Sequence, residues 1–349
     1  MKFVPTRSKL SLLFLIVFLA AAAFLITPAL PQTRERTVGP SRAEANIKVA
    51  EVIKTDVDLV TVDALVLQKN TARVMGGLTQ ADFVISEDGK NQTITHFSQD
   101  SLPLSVLLLI DRGGCLDPFS EEVRTAARDA VLRLKSTDEV AVMTYHDRVE
   151  LRQEFTRDRR AVDQALRYVP PHDERADHCL NIALDKAANY MMNAANPNGR
   201  RVIILITAVT RNWDCRAGPS NKAAVHSVFE SGSVVCGIVP KTPEQMAENG
   251  MMRWATRLGR IAGASYLDIQ KLADDTGGEI MHDHPDVLDR SFVTLVTHLR
   301  TRYSLSFVSS NKVRDGKVRK LKIDVANNAE KSRGKLVVKA RKSYVAPKS

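Results

Sequence analysis

The sequence lacks every catalytic loop that can be read from residue order alone. It has no G-x-x-x-x-G-K-[ST] phosphate cradle, no H-E-x-x-H pair, and no nucleophile set in a Ser-His-Asp or Cys-His-Asn order. Nothing specific therefore speaks for an enzyme, and none is expected. No repeat of fixed period runs through the 349 residues, so a solenoid or propeller is excluded. Long apolar runs are missing beyond the first thirty residues. With 44% hydrophobic and 26% charged residues, the remainder reads as folded and soluble, not as disordered or as a multispan membrane protein.

What is present begins with an export signal. Lys2, Arg7 and Lys9 precede an uncharged run from Leu10 to Ile26, followed by Pro28 and Pro31. Residues 1–31 read as a signal peptide or, given the length of the run, an uncleaved anchor. Thr27-Pro28-Ala29 offers only a weak cleavage site, and no Cys follows, which argues against a lipoprotein. The expected location is periplasm, cell envelope or extracellular space, with membrane association only through this segment if it is retained. Residues 32–55 are polar and aperiodic and read as a linker.

The net charge of +10 is concentrated at one end. From Asn311 onward there are thirteen Lys or Arg against three acids, and the rest of the chain nets to zero. Leu321, Ile323 and Val325 alternate there with Lys320, Lys322 and Asp324, the pattern of a half-buried strand whose lysines discourage edge pairing. Export disfavours nucleic acid as a partner.

Three blocks follow the linker. Residues 56–101 read as β structure: a β-branched run to Leu67, Phe83 to Ile85, an Asp88-Gly89 hairpin, and Gln92 to Phe97. Residues 102–301 alternate apolar strands with amphipathic helices, which specifies a doubly wound, mostly parallel α/β sheet. Strands are expected at 106–110, 140–145, 202–207, 234–239 and 279–281. Helices are expected at 121–134, 158–169, 180–192, 221–230, 266–275 and 287–301, and Lys241 to Ala264 as an inserted loop or helix. Residues 302–349 return to strands, with an Asp315-Gly316 hairpin, and are expected to join 56–101 in a small β-sandwich.

In open α/β sheets, ligands gather beyond the carboxyl ends of the strands. The three loops there hold Asp111-Arg112-Gly113-Gly114-Cys115, Asp177-His178-Cys179, and Thr207-Ala208 through Asp214-Cys215. An exported chain meets an oxidising compartment, so a disulfide between two of Cys115, Cys179 and Cys215 is expected. Cys236 lies in an apolar strand and reads as core. His146-Asp147 reads as a turn cap and His282-Asp283-His284 as a solvated turn.

The run from Gly77 to Gly89, followed by Gln92, Ile94 and Phe97, resembles the signature preceding the A-type domain in bacterial VWFA-related proteins of the acidobacterial type. Pro103 to Asp111, Leu272 to Gly278 and Tyr303 to Tyr344 continue the likeness, which covers about 56–344. The resemblance implies a von Willebrand factor A-like, Rossmann-like sheet and a metal-ion-dependent adhesion site of the form Asp-x-Ser-x-Ser, then Thr, then Asp. Of that pattern this chain keeps Asp111, the one candidate metal ligand. Gly113 and Cys115 stand at the serine positions, His178 at the threonine and Ala208 at the aspartate. Mg²⁺ prefers six oxygens, so magnesium is disfavoured, no cofactor is expected, and these loops with Asp214 read as a degenerate site that binds a protein or envelope partner. The alternative is a zinc-binding or redox-linked enzyme or sensor built on the same Cys and His residues.

Overall fold

A buried parallel strand must present apolar side chains on both faces, and the run that opens the central domain does so. The computed structural model of the chain describes residues 59–99, 102–196, 198–261 and 265–348. The readings of 1–31 and 32–55 lie outside the described residues.

The chain forms, in order, β1 (Leu59–Gln68), β2 (Phe83–Glu87), β3 (Lys90–Gln92), β4 (Ile94–Ser98), β5 (Leu104–Asp111), α1 (Glu121–Leu132), β6 (Glu139–Tyr145), β7 (Val149–Thr156), α2 (Arg159–Arg167), α3 (Leu180–Tyr190), β8 (Arg200–Ile206) and β9 (Arg211–Trp213). It continues with α4 (Asn221–Glu230), β10 (Val234–Ile238), α5 (Pro243–Ile261), β11 (Tyr266–Asp268), α6 (Ile269–Thr276), β12 (Ile280–Met281), α7 (Leu288–Arg300), β13 (Tyr303–Val308), β14 (Val318–Val325), α8 (Asn327–Arg333), β15 (Leu336–Ala340) and β16 (Ser343–Val345).

The central sheet has the order β12-β10-β8-β5-β6-β7 and is parallel except for β7. Every residue of β5 and β6 is buried. Val106, Leu108 and Ile110 pack against α1, α2 and α7 on one face, and Leu107 and Leu109 against α3, α4 and α6 on the other. The sheet is therefore doubly wound, as its unbroken apolar strands require. The chain runs from β5 out to β7, then returns to place β8 on the far side of β5, so the topology reverses between β5 and β8.

The flanks build two four-stranded antiparallel sheets, β15-β1-β13-β4 and β16-β14-β2-β3. N- and C-terminal strands interleave: β1 lies between β13 and β15, and β14 pairs with β2. Val62, Phe83, Ile85, Leu305, Phe307 and Ile323 meet in their shared core. Asp88 (φ 46°) and Gly89 (φ 82°) both take the left-handed conformation that a two-residue hairpin between β2 and β3 demands.

Several expectations are corrected. Gln92 to Phe97 is not one strand: the chain crosses between sheets at Thr93, so β3 and β4 pair with different neighbours. The helix expected from Tyr266 begins at Ile269, because Tyr266–Asp268 pairs with β9 and the Asp268 carboxylate caps α6 by accepting the Lys271 N–H at 3.1 Å. Asp315-Gly316 turns the chain (Gly316 φ 66°) but does not join paired strands, since β13 and β14 belong to different sheets and Asp315 bridges to Lys348. Lys241 to Ala264 resolves in favour of a helix, α5. Edge strand β7, half of whose residues are exposed and whose Glu150, Arg152 and Glu154 hide its period, and α8 and β16 add elements that the sequence pattern did not suggest.

Candidate functional site

Because β5 is central and sits at the topological reversal, its last residue falls where the loops converge. Asp111 is fully buried there. Its Oδ1 accepts the Gly113 N–H at 3.1 Å, its Oδ2 accepts the Thr207 hydroxyl at 2.7 Å, and His178 Nδ1 lies 2.7 Å from the same Oδ2. Thr207 is the first residue after β8, and His178 comes two residues before α3, so three loops meet on one carboxylate.

The glycine pair makes this approach feasible. Gly114 has φ +84°, and a Cβ on it would lie 1.8 Å from His178 Nε2. A Cβ on Gly113 would lie 2.8 Å from the Asp177 carbonyl oxygen. The 172–178 segment is also fastened to the β5 loop, with Gly114 N–H donating to the Ala176 carbonyl at 2.9 Å and His172 Nε2 at 2.5 Å from the Gly114 oxygen. Arg112 turns away and pairs with Asp117 at 2.5 Å.

Electrostatics favour charge separation at this contact. Burial works against a charged His178, but the Asp111 hydrogen bond and negative charge outweigh it and raise the imidazole above its usual pKa. Burial, with the neighbouring Asp111 carboxylate, pushes the Tyr145 phenol well above its ordinary range, so it stays neutral.

A disulfide between Cys179 and Cys215, with Cα atoms 5.3 Å apart, ties the second loop to the third. Cys115 is free and exposed, and Cys236 is free and buried in the core. Asn181 reinforces the same junction, donating to the Cys215 carbonyl at 3.0 Å and the Pro219 carbonyl at 2.7 Å. Beside the disulfide opens a cleft of about 700 Å³ whose walls include Arg148, His178, Trp213, Asp214, Arg216 and Met252.

Of the residues singled out by sequence, Asp111, Gly113 and His178 come together. Ala208 is buried and adds no side-chain oxygen; its carbonyl accepts from Asn249 of α5 at 3.1 Å. Asp214 lines the cleft but spends one oxygen on the Asn221 N–H at 2.9 Å, at the start of α4. Cys115 forms no bond to the other cysteines. Thr207 and Asn181 were missed: Thr207 looked like the end of an apolar strand, and Asn181 like an ordinary helical position. Neither carries a local motif. His146 contacts Asp147, and His284 Nδ1 accepts the Asp286 N–H at 3.5 Å in a short turn. Among the described residues, no group of three His, Cys, Asp or Glu side chains is placed to hold a metal ion.

Residues 106–208 match the family model of the von Willebrand factor type A domain. No curated protein matches the chain. Similar solved structures include an aerotolerance-related membrane protein from Bacteroides fragilis, 12% identical over 56% of this chain and 98% of that one, with a TM-score of 0.39. A PilB minor pilin from Streptococcus sanguinis is 10% identical over 58% of this chain and 63% of that one, with a TM-score of 0.42. Proximal thread matrix protein 1 from the mussel byssus, with a zinc-occupied MIDAS motif, is 14% identical over 62% of this chain and 50% of that one, with a TM-score of 0.41. The strand that ends in Asp111 and the topological reversal beside it thus lie inside the segment that is similar to the von Willebrand factor type A domain.

Proposed function

We propose that this is an exported binding protein whose strand-end face docks a protein or cell-envelope partner without a bridging cation and without turning over a substrate. The observation that carries the reading is the state of Asp111. Its two oxygens already satisfy Thr207, His178 and Gly113 N–H, and the imidazole fills the space in front of the glycine pair. Gly113 and Ala208 bring no side-chain oxygen, and Cys115 is a soft ligand, so this donor set does not fit octahedral Mg²⁺. The Asp111 hydrogen bond and charge shift the His178 imidazole toward its protonated form. The Cys179–Cys215 bridge supports export into an oxidising compartment and holds two of the three loops in fixed relation. Preorganised loops reduce the entropy lost when a partner binds.

The test is capture of envelope proteins on the purified chain, with and without chelator, alongside calorimetric titration with Mg²⁺ and Zn²⁺. Capture should survive chelator and fall in an Arg148→Glu/Arg216→Glu variant of the cleft rim, while neither metal gives a stoichiometric heat. Chelator-sensitive capture, or one zinc per chain on reduced thiols, would replace this reading with a metal-dependent one.

A further inference from the structure

Helix α5 is held on one side only. On its inner face Asn249 bonds Thr210 N–H at 2.9 Å and the Ala208 carbonyl, Thr256 is buried, and Gly259 lies against the Trp213 ring, where a Cβ would come within 2.4 Å. Its outer face carries Met251, Trp254, Leu258 and Ile261, spaced three, four and three residues apart and therefore aligned in one stripe. All are exposed, Trp254 to 66% and Ile261 to 81%. Four large apolar side chains on one exposed helix stripe mark an interaction surface.

Beside the stripe runs a ridge of Arg253, Arg257 and Arg260. No acid occurs between Asn249 and Ile261. Arg260 stacks on Tyr266, whereas Arg253 and Arg257 form no ion pair or side-chain hydrogen bond among the described residues. We infer that the outer face of α5 lies on an anionic lipid surface, with the stripe among the acyl-chain boundary and the arginines at the headgroups. Trp and aliphatic residues on one face, flanked by arginine, are the composition of a helix that rests in a membrane interface. A second copy is the poorer fit, because an antiparallel pairing through the stripe would set one arginine ridge against another, while the acids of α5, Glu244 and Glu248, lie before the stripe begins. A peptide would need a groove, and the clefts next to α5 are walled by Met246 and Met252 instead of by the stripe. This departs from the sequence expectation that only residues 1–31 could meet a membrane; the reason is that α5 was not resolved as a helix there, so its stripe was not visible. No described helix is long and apolar enough to cross a membrane, consistent with a surface mode.

Trp254 is one of two tryptophans, so the full chain carries its own probe. Emission should be followed on vesicles of brominated phosphatidylcholine with and without phosphatidylglycerol, with flotation recording total binding and Trp254→Phe giving the Trp213 background. Because quenching is read at Trp254, insertion of the leading segment does not mimic it. The expected result is quenching of the Trp254 component on phosphatidylglycerol vesicles only, with Arg253→Glu/Arg257→Glu needing about tenfold more lipid or beyond. The inference is overturned if Trp254 stays unquenched on vesicles that carry the chain, if uncharged vesicles quench it equally, or if sedimentation shows a dimer that Leu258→Ser/Ile261→Ser converts to monomer.

Discussion

The parallel sheet buries charge at both ends, and the two ends use it differently. At the amino end, Asp138 accepts the Leu104 and Lys135 N–H groups at 2.9 and 2.8 Å and pairs with Arg300. Glu139 accepts the Ser105 hydroxyl at 2.6 Å and the Asn196 N–H at 3.1 Å. Arg200 reaches the Leu299 carbonyl at 3.1 Å, the Arg302 carbonyl at 3.0 Å, and Asp63 of the sandwich at 3.0 Å. Arg200 thereby ties the sandwich to the sheet, and none of Asp138, Glu139 and Arg200 lines the cleft beside the disulfide. At the carboxyl end a smaller network, Asp111 with Thr207 and His178, borders an open cleft. Buried charge is thus not by itself a mark of function in this molecule; access from a cleft is what separates the two sets.

The sharpest way to break that contrast is at Arg200. Arg200→Ala leaves Asp63 and several carbonyls without their partner and should lower stability by about 3–5 kcal/mol in urea unfolding, with partner capture by the remaining folded protein unchanged. Loss of capture at full folding would show that the amino end also acts in binding. Next, Cys179→Ala/Cys215→Ala opens a cross-link between residues 36 apart and should cost about 4 kcal/mol while weakening capture. Gly114→Ala, which forces the His178 ring aside from a backbone at φ +84°, should cost about 1–3 kcal/mol and affect capture most per unit of stability lost.

The two ends should also answer to different pH windows. His178 has a folded pKa above its ordinary 6.5, so its contribution is complete below 6.5 and is lost as pH rises through the folded value. Glu279 sits near the amino end beside His298 and Lys339; burial opposes its charge, but the His298 hydrogen bond prevails and pulls it to about 2. Its contribution is complete above 4.5 and is lost as pH falls toward 2. Urea midpoints across pH should therefore lose the alkaline decline in His178→Gln and part of the acid decline in Glu279→Gln; unchanged profiles would separate these pairs from stability. The smallest effect is expected at Arg302, whose three guanidinium nitrogens are buried without hydrogen-bond partners among the described residues. Arg302→Met should be neutral or mildly stabilising by thermal unfolding, because an unsatisfied buried cation is exchanged for packing.

Residue pattern carried the architecture wherever burial was two-sided or strictly alternating. The uninterrupted Val106–Ile110 run could only be a covered parallel strand, and Leu321 and Ile323, alternating with Lys320, Lys322 and Asp324, could only be one face of a sheet. It failed where partner choice decides. Thr93 divides two strands because they join different sheets, and no local signal encodes a change of partner. The same holds at the site. Asp111 and His178 are legible because they fall in the strand-end loops at positions of the adhesion-site pattern that the resemblance implies, whereas Thr207 acquires its role only when β8 is laid beside β5. The choice of Cys215 over Cys115 as the mate of Cys179 depends likewise on loop placement.

The interleaving of β1 with β13 and β15 has a consequence for biogenesis. Leu59 pairs with Val308 and Gln68 with Leu336, so β1 finds both neighbours only after residue 336 has emerged. Such distant pairings form late and slowly. A chain cut before β14 would leave β1 without β15 and β2 without β14, and so expose unpaired sheet edges instead of yielding a shortened but viable protein.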